Sequence, residues 1–211
     1  MRPSSKQLIG LRIPAPAPCV SVPAPDLNII QTEIPDVLII EPKIFGDGRG
    51  FFTETYQANR YAESGIGQHF VQDNLSRSVK GTLRGLHFQN PTPQGKLVTV
   101  LRGTVLDVSV DIRIGSPTFG QHVMVELSEE NRRQVWVPRG FAHGFIVNSD
   151  VADFFYKCDE FYSPADQRIL RWSDPMLRIN WGCDAPIISE RDSKGSYLAQ
   201  LHDVLPSYEN R

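Results

Sequence analysis

Beyond position 28 the chain is a succession of short apolar runs separated by turn residues. In "KLVTVLRGTVLDVSVDI", residues 96–112, Arg102-Gly103 parts two strands. In the second, Leu106, Val108, Val110 and Ile112 alternate with Asp107, Ser109 and Asp111. A period of two predicts a half-buried β-strand. "DVLIIEP" predicts another strand, and "FGDGRGFF" after it carries Asp47-Gly48, the residue pair a tight hairpin favours. "HVMVELS", "RQVWVPRG", "HGFIVNS" and "ADFFYKC" continue the series, punctuated at Glu129–Arg132, Arg139-Gly140 and Asn148–Asp150. Only "QANRYAESG", with Gly65 as a C-terminal cap, and "GSYLAQLHDVL" near the C-terminus read as helix. Many short strands without intervening helices predict an all-β, antiparallel sandwich or barrel with short peripheral helices.

Residues 13–26, "IPAPAPCVSVPAPD", alternate proline with small residues and can bury little. Residues 1–28 are therefore read as a flexible extension ahead of one domain. A formal net charge of −2 across 211 residues gives no electrostatic reason to bind nucleic acid or an acidic membrane surface. Cys19, Cys158 and Cys183 are scattered and odd in number, a usage that suits a reducing cytoplasm. No apolar run reaches the length of a membrane span. Prolines interrupt the N-terminal region where a signal peptide needs an unbroken apolar segment, so a soluble, unexported protein is expected.

Five histidines, His69, His87, His122, His143 and His202, show no metal-binding spacing. His87 and His143 with a carboxylate could still converge on a metal from separate strands. Alternatively His87, in "TLRGLHFQNP", is a proton-transfer base, which needs a carboxylate to fix its tautomer and a cation to hold an enolate. Asp192, Lys96 and Tyr156 are candidates for partner, cation and returning acid. Arg49 and Arg84 lie beside glycines, where a diphosphate could approach, and Tyr162 could stack on a base. Each residue taken singly is more simply a core or surface side chain.

Read together, seven ordered blocks resemble one family. They are "GDGRGFFTETY", "FVQDNLSRSVKGTLRGLHFQ", "QGKLVTVLRGTVLDVSVDIR", "VPRGFAHGF", "YKCDEFYSP", "RWSDP" and "ISERD". The family is the dTDP-4-dehydrorhamnose 3,5-epimerases, of the cupin-like, antiparallel double-stranded β-helix (jelly-roll) class. The resemblance implies an epimerase domain over 29–185 and a C-terminal segment, 186–211, carrying the catalytic aspartate and a short helix. It implies a dTDP-4-keto-6-deoxyhexose substrate, inversion at C5 and C3, no metal or organic cofactor, and a homodimer in which the N-terminal strand region contributes to the partner's side.

By position, His87 resembles the family's general base, Asp192 its partner, Lys96 the cation beside the C4 oxygen and Tyr156 the acid on the opposite ring face. Arg49, Glu54, Gln72, Asn74, Arg84 and His143 match positions that hold nucleotide, diphosphate or sugar, and Tyr162 the aromatic stacked on thymine. Gln167 and Arg191 stand near the nucleotide end, where many members carry glutamate and lysine, and Phe88 replaces a frequent tyrosine. The competing readings are a C5-only or C3-only epimerase or keto-isomerase, a sugar-nucleotide-binding jelly roll without activity, and a metal-dependent cupin oxygenase.

Overall fold

The computed structural model describes residues 27–208. The expected extension, 1–28, lies outside the described residues except for Leu27 and Asn28. Strands are numbered in chain order. One six-stranded sheet contains β1 (Asn28–Gln31), β2 (Leu38–Glu41), β10 (Gln134–Val137), β7 (Lys96–Arg102), β12 (Val151–Cys158) and β5 (Gln72–Val79), in that spatial order. A five-stranded sheet orders β13 (Gln167–Ile169), β6 (Leu83–Gln89), β11 (Phe141–Val147), β8 (Thr104–Asp111) and β9 (His122–Ser128). Neighbouring strands pair antiparallel, and β3 (Ile44–Asp47) with β4 (Gly50–Thr53) forms the hairpin expected at Asp47-Gly48. This is the antiparallel jelly roll the sequence predicts.

Three apolar clusters account for the layering. Val98, Val100, Val125, Phe145 and Phe154 fill the space between the two sheets, with the Phe145 and Phe154 rings stacked 3.8 Å apart. Leu38, Ile40, Leu97 and Trp136 on the outer side of the six-stranded sheet pack against Tyr61 and Ile66. On the outer side of the five-stranded sheet, Leu86, Val108, Val110 and Ile146 meet Trp181, Leu198, Leu201 and Leu205.

That last layer corrects the expectation for β8. Its period of two is real, but the strand is not half-buried with its polar side in water. The apolar side is covered by the C-terminal segment, while Asp107, Ser109 and Asp111 are at most 1% exposed. Asp111 is satisfied by Arg113, Ser116 and Thr118. Asp107 turns between the sheets, so a buried polar row sits where a core would ordinarily be apolar.

Helix α1 spans Ala58–Glu63, as expected from "QANRYAESG": Gln57 caps its N-terminus through Oε1, and Gly65 follows with φ +88°. The second predicted helix is instead two 3-10 turns, Leu198–Gln200 and His202–Val204. Leu198, Leu201 and Leu205 have helical spacing and do face the core. The backbone is pinned earlier, however, by Leu198 N–H donating to the buried Asp174 carboxylate at 2.6 Å, and Pro206 follows directly. An unexpected short helix, α2 (Glu190–Ser193), is capped by the Ser189 hydroxyl, which accepts from Asp192 N–H.

Strands β6 and β11 approach each other more closely than side chains allow. A Cβ at Gly85 would come within 2.7 Å of the Gly144 Cα, and one at Gly144 within 2.6 Å of the Arg84 carbonyl oxygen. The two glycines therefore fit each other where the ladder register shifts, between His143 and Phe145. Among the described residues no helix is long and apolar enough to cross a membrane.

Candidate active site

Alternation along the strands decides which side chains enter the space between the sheets. On the five-stranded wall, His87 of β6 is directly opposite His143 of β11. Cross-strand partners share a face, so both rings point inward. On the six-stranded wall, Lys96 of β7 is opposite Cys158 of β12, and Tyr156 is opposite Val98. A cavity of about 160 Å³ lies between these walls, lined by Arg84, His87, Lys96, His143, Phe154 and Tyr156 among others. A larger hollow of about 520 Å³ beside Trp136 and Arg139 shares no lining residue with it. The smaller cavity is the candidate because it gathers the proton-transfer groups.

Each inward histidine has its own carboxylate. His87 Nε2 lies 2.6 Å from Asp192 Oδ1, with the histidine side chain 31% exposed and the aspartate 6%. The other Asp192 oxygen accepts from Gly85 N–H at 3.3 Å. Burial pushes the Asp192 carboxyl up, but the hydrogen bond and charge of His87, Gly85 N–H and Ser189 outweigh it, so the net direction is down. An ionised Asp192 only accepts, which makes His87 Nε2–H the donor and leaves Nδ1 free to take a proton. His143 Nε2 is 2.8 Å from Asp107 Oδ2, with both residues buried. Among the described residues no three His, Cys, Asp or Glu side chains form a metal-binding group.

The opposite wall holds groups of a different kind. Burial pushes the Tyr156 phenol up to about 12, with Cys158 adding and Arg84 subtracting, so it is a protonated acid at neutral pH. Burial also lowers Lys96, while the proximity of Cys158, were its thiol ionised, and of Asp107 works the other way. A cavity with a histidine–aspartate pair on one wall and a phenol and ammonium on the other can remove a proton from one side of a bound molecule and return one from the other.

The nine binding candidates fall into three groups. Arg84 and His143 line the cavity, with Arg84 Nε donating to Ser78 Oγ at 2.9 Å. Gln72, Asn74, Tyr162, Gln167 and Arg191 form a continuous patch. Gln72 Nε2 donates to Asn74 Oδ1 at 2.9 Å, and its Oε1 accepts from Tyr162 N–H at 3.0 Å. The Tyr162 hydroxyl donates to Gln167 at 2.5 Å and accepts from Arg191 at 3.5 Å. Asn74 Nδ2 also reaches Cys158 Sγ at 3.6 Å, which joins this patch to the cavity. Arg49 and Glu54 are in neither group. Arg49 is 91% exposed on the β3–β4 hairpin, paired with Asp47, and Glu54 is paired with Arg60 of α1. Sequence reasoning gives Asp107 no role, although it lies within the block "QGKLVTVLRGTVLDVSVDIR" and on the alternating strand; in the structure it is in register with Phe145, one alternation step from Ser109, the partner of His143.

Comparisons with known proteins identify the family. Residues 31–200 match the family model described as dTDP-4-dehydrorhamnose 3,5-epimerase. The chain is 54% identical over 171 residues to the dTDP-4-dehydrorhamnose 3,5-epimerase of Shigella flexneri, covering 80% of this chain and 94% of that one. It superposes with TM-score 0.85 and 53% identity on a crystal structure of dTDP-6-deoxy-D-glucose-3,5-epimerase from Legionella pneumophila Philadelphia 1 in complex with dTDP-4-keto-L-rhamnose, over 87% of this chain and 100% of that one. It is also 41% identical over 174 residues to the dTDP-4-dehydrorhamnose 3-epimerase of Streptomyces niveus, covering 80% and 84% respectively.

Proposed function

The chain belongs to the dTDP-4-dehydrorhamnose 3,5-epimerase family, and from that premise we propose the way its own residues carry out the reaction. It is an isomerase acting on a dTDP-linked sugar. The substrate is dTDP-4-dehydro-6-deoxy-D-glucose and the product dTDP-4-dehydro-L-rhamnose. His87 Nδ1 takes the proton at C5, releases it to solvent while Tyr156 regains one from solvent, and then takes the proton at C3, both carbons being made acidic by the C4 ketone between them. The Lys96 ammonium holds the negative charge that develops on the C4 oxygen, and the Tyr156 phenol returns a proton from the opposite face of the ring. Asp192 fixes the His87 tautomer and balances the imidazolium. No cofactor is required by this sequence of steps.

The observation that supports this reading is the placement of base and acid on the two facing walls of one cavity, on β6 and β12. Inversion needs removal and return on opposite faces, which a single group reaches poorly. The patch of Gln72, Asn74, Tyr162, Gln167 and Arg191 is assigned to the nucleotide. Stacking on Tyr162 and the Arg191 guanidinium suit a base and a phosphate respectively. A single-site epimerase is the second reading, favoured by the similarity to the Streptomyces niveus 3-epimerase.

Incubation with dTDP-4-dehydro-6-deoxy-D-glucose, hydride reduction at C4 and sugar analysis separate the two readings. Products of the L-configured sugar are expected; a sugar inverted at one centre only contradicts double epimerisation. In the same assay the alkaline limb of kcat belongs to Lys96, because the charged form is the active one and burial lowers it from its ordinary 10.5. It should precede the loss of the Tyr156 proton, which is held to about 12. A profile flat to pH 10.5 or beyond contradicts the role of Lys96.

The same reading includes a homodimer. Phe45, Phe51 and Phe52 are 46%, 53% and 68% exposed on the two-stranded β3–β4 hairpin, which presents a water-facing apolar ribbon that is marginal by itself. Docked on a second copy, the hairpin would be covered and Arg49 carried toward the partner's cavity. Light scattering should give twice the chain mass of 23.7 kDa, and the Phe52→Asp variant should fall to the single-chain mass. A monomeric wild type with full activity rules this arrangement out. The free Cys158 and Cys183 support a reducing, cytoplasmic setting.

A further inference from the structure

Lys96 is enclosed in the cavity wall, and none of the hydrogen bonds among the described residues ties its ammonium to an acceptor. A buried cation without a counter-charge gives up its proton. The groups around it decide whether it keeps its charge. On β12, Tyr156 and Cys158 are held protonated by burial, at about 12 and about 11, so neither is an anion at neutral pH. On β6, Arg84 is a cation, and His87 is committed to Asp192 of α2. On β5, Gln72 and Asn74 are neutral. Asp159, just beyond β12, is taken up by Gly95 N–H and Arg139. Asp73, beside Gln72, is taken up by Lys157. There remains Asp107 of β8, 1% exposed, whose charge favours the ammonium and whose one hydrogen bond is to His143 of β11.

We propose that Asp107 is a positioning residue for the reaction, a buried carboxylate held by His143, which lines the cavity beside Lys96, so that its negative charge keeps the Lys96 ammonium intact. The arrangement works with His143 as a neutral imidazole donating from Nε2, because an imidazolium would cancel the carboxylate's charge before it reached Lys96. It gives His143 a second task beside contact with the substrate: orienting the counter-ion of the lysine opposite. The inference rests on Lys96 acting at the C4 oxygen, as proposed above.

The test is kcat against pH, read by solvent-hydrogen exchange into the substrate, for the wild type and for Lys96→Met, Asp107→Asn and Asp107→Glu, with dTDP affinity measured alongside. Lys96→Met should lose exchange at every pH; retained exchange overturns the Lys96 assignment and this inference with it. Asp107→Asn should bind dTDP within about twofold of wild type. Its alkaline limb should move down by about one pH unit, making its loss of kcat about tenfold larger at the alkaline end than at pH 6. Asp107→Glu keeps the charge, and its limb should stay with that of the wild type. If Lys96→Met is inactive while Asp107→Asn loses the same factor at all pH values, or if Asp107→Glu shifts its limb as the asparagine variant does, the counter-charge role is wrong and that of Lys96 stands.

Discussion

Replacing His87 by alanine is expected to lower turnover by between about a hundredfold and ten-thousandfold and to leave dTDP affinity within about threefold of wild type. The two effects separate because the site is divided. His87 makes its one side-chain hydrogen bond to Asp192, behind the cavity, while the candidate nucleotide contacts are tied together through Gln72, Tyr162, Gln167 and Arg191. Asp192 keeps the Gly85 N–H as a donor and remains within the cap formed by Ser189, so the local backbone has support without the imidazole. Leaving a buried carboxylate short of one partner costs about 1–3 kcal/mol, which thermal melting can register without confusing it with lost catalysis. The comparison to make is steady-state turnover against calorimetric binding of dTDP. A fall in affinity as large as the fall in rate would place His87 in binding and not in proton transfer.

Tyr156→Phe should give the second largest effect, and a more selective one. The phenol is the acid of the facing wall, and removing its oxygen leaves the ring packed near Phe154, whose centroid is 6.0 Å away. Proton removal by His87 does not depend on that oxygen. Exchange of substrate hydrogens with solvent, with return to the same face, should therefore persist, while net inversion falls by about a hundredfold or more. Exchange and inversion lost together would mean that Tyr156 acts before or during proton removal. Inversion retained at the wild-type rate would hand the acid role to another group.

The fold was largely legible because alternation survives burial. The pattern from Leu106 to Ile112 located β8 correctly, yet it could not tell which side faced water, since both faces of that strand are covered. The C-terminal segment that covers it, "GSYLAQLHDVL", reads as a helix in sequence; the tie of Leu198 to Asp174, 24 residues earlier, is a tertiary contact that local pattern does not contain. Helix α2 is four residues long, too short to leave a period.

The site was legible in its residue types and not in its pairings. His87 and Asp192 stand 105 positions apart and are joined only when α2 packs behind β6. Spacing alone ranked each as an ordinary side chain, and ordered motif blocks were needed to single them out. Asp107 lay inside one of those blocks without a role attached to it. Its position on the polar side of an alternating strand looks like a solvated charge, and only tertiary structure shows that this side faces the space between the sheets while the C-terminal segment covers the apolar side.

The measurement that bears most directly on the central claim is proton NMR of dTDP-4-dehydro-6-deoxy-D-glucose with a catalytic amount of the protein in D2O. Loss of both the C3 and the C5 proton signals, absent in the His87→Ala variant, is the predicted result. Exchange at neither carbon, with the nucleotide still bound, would contradict it.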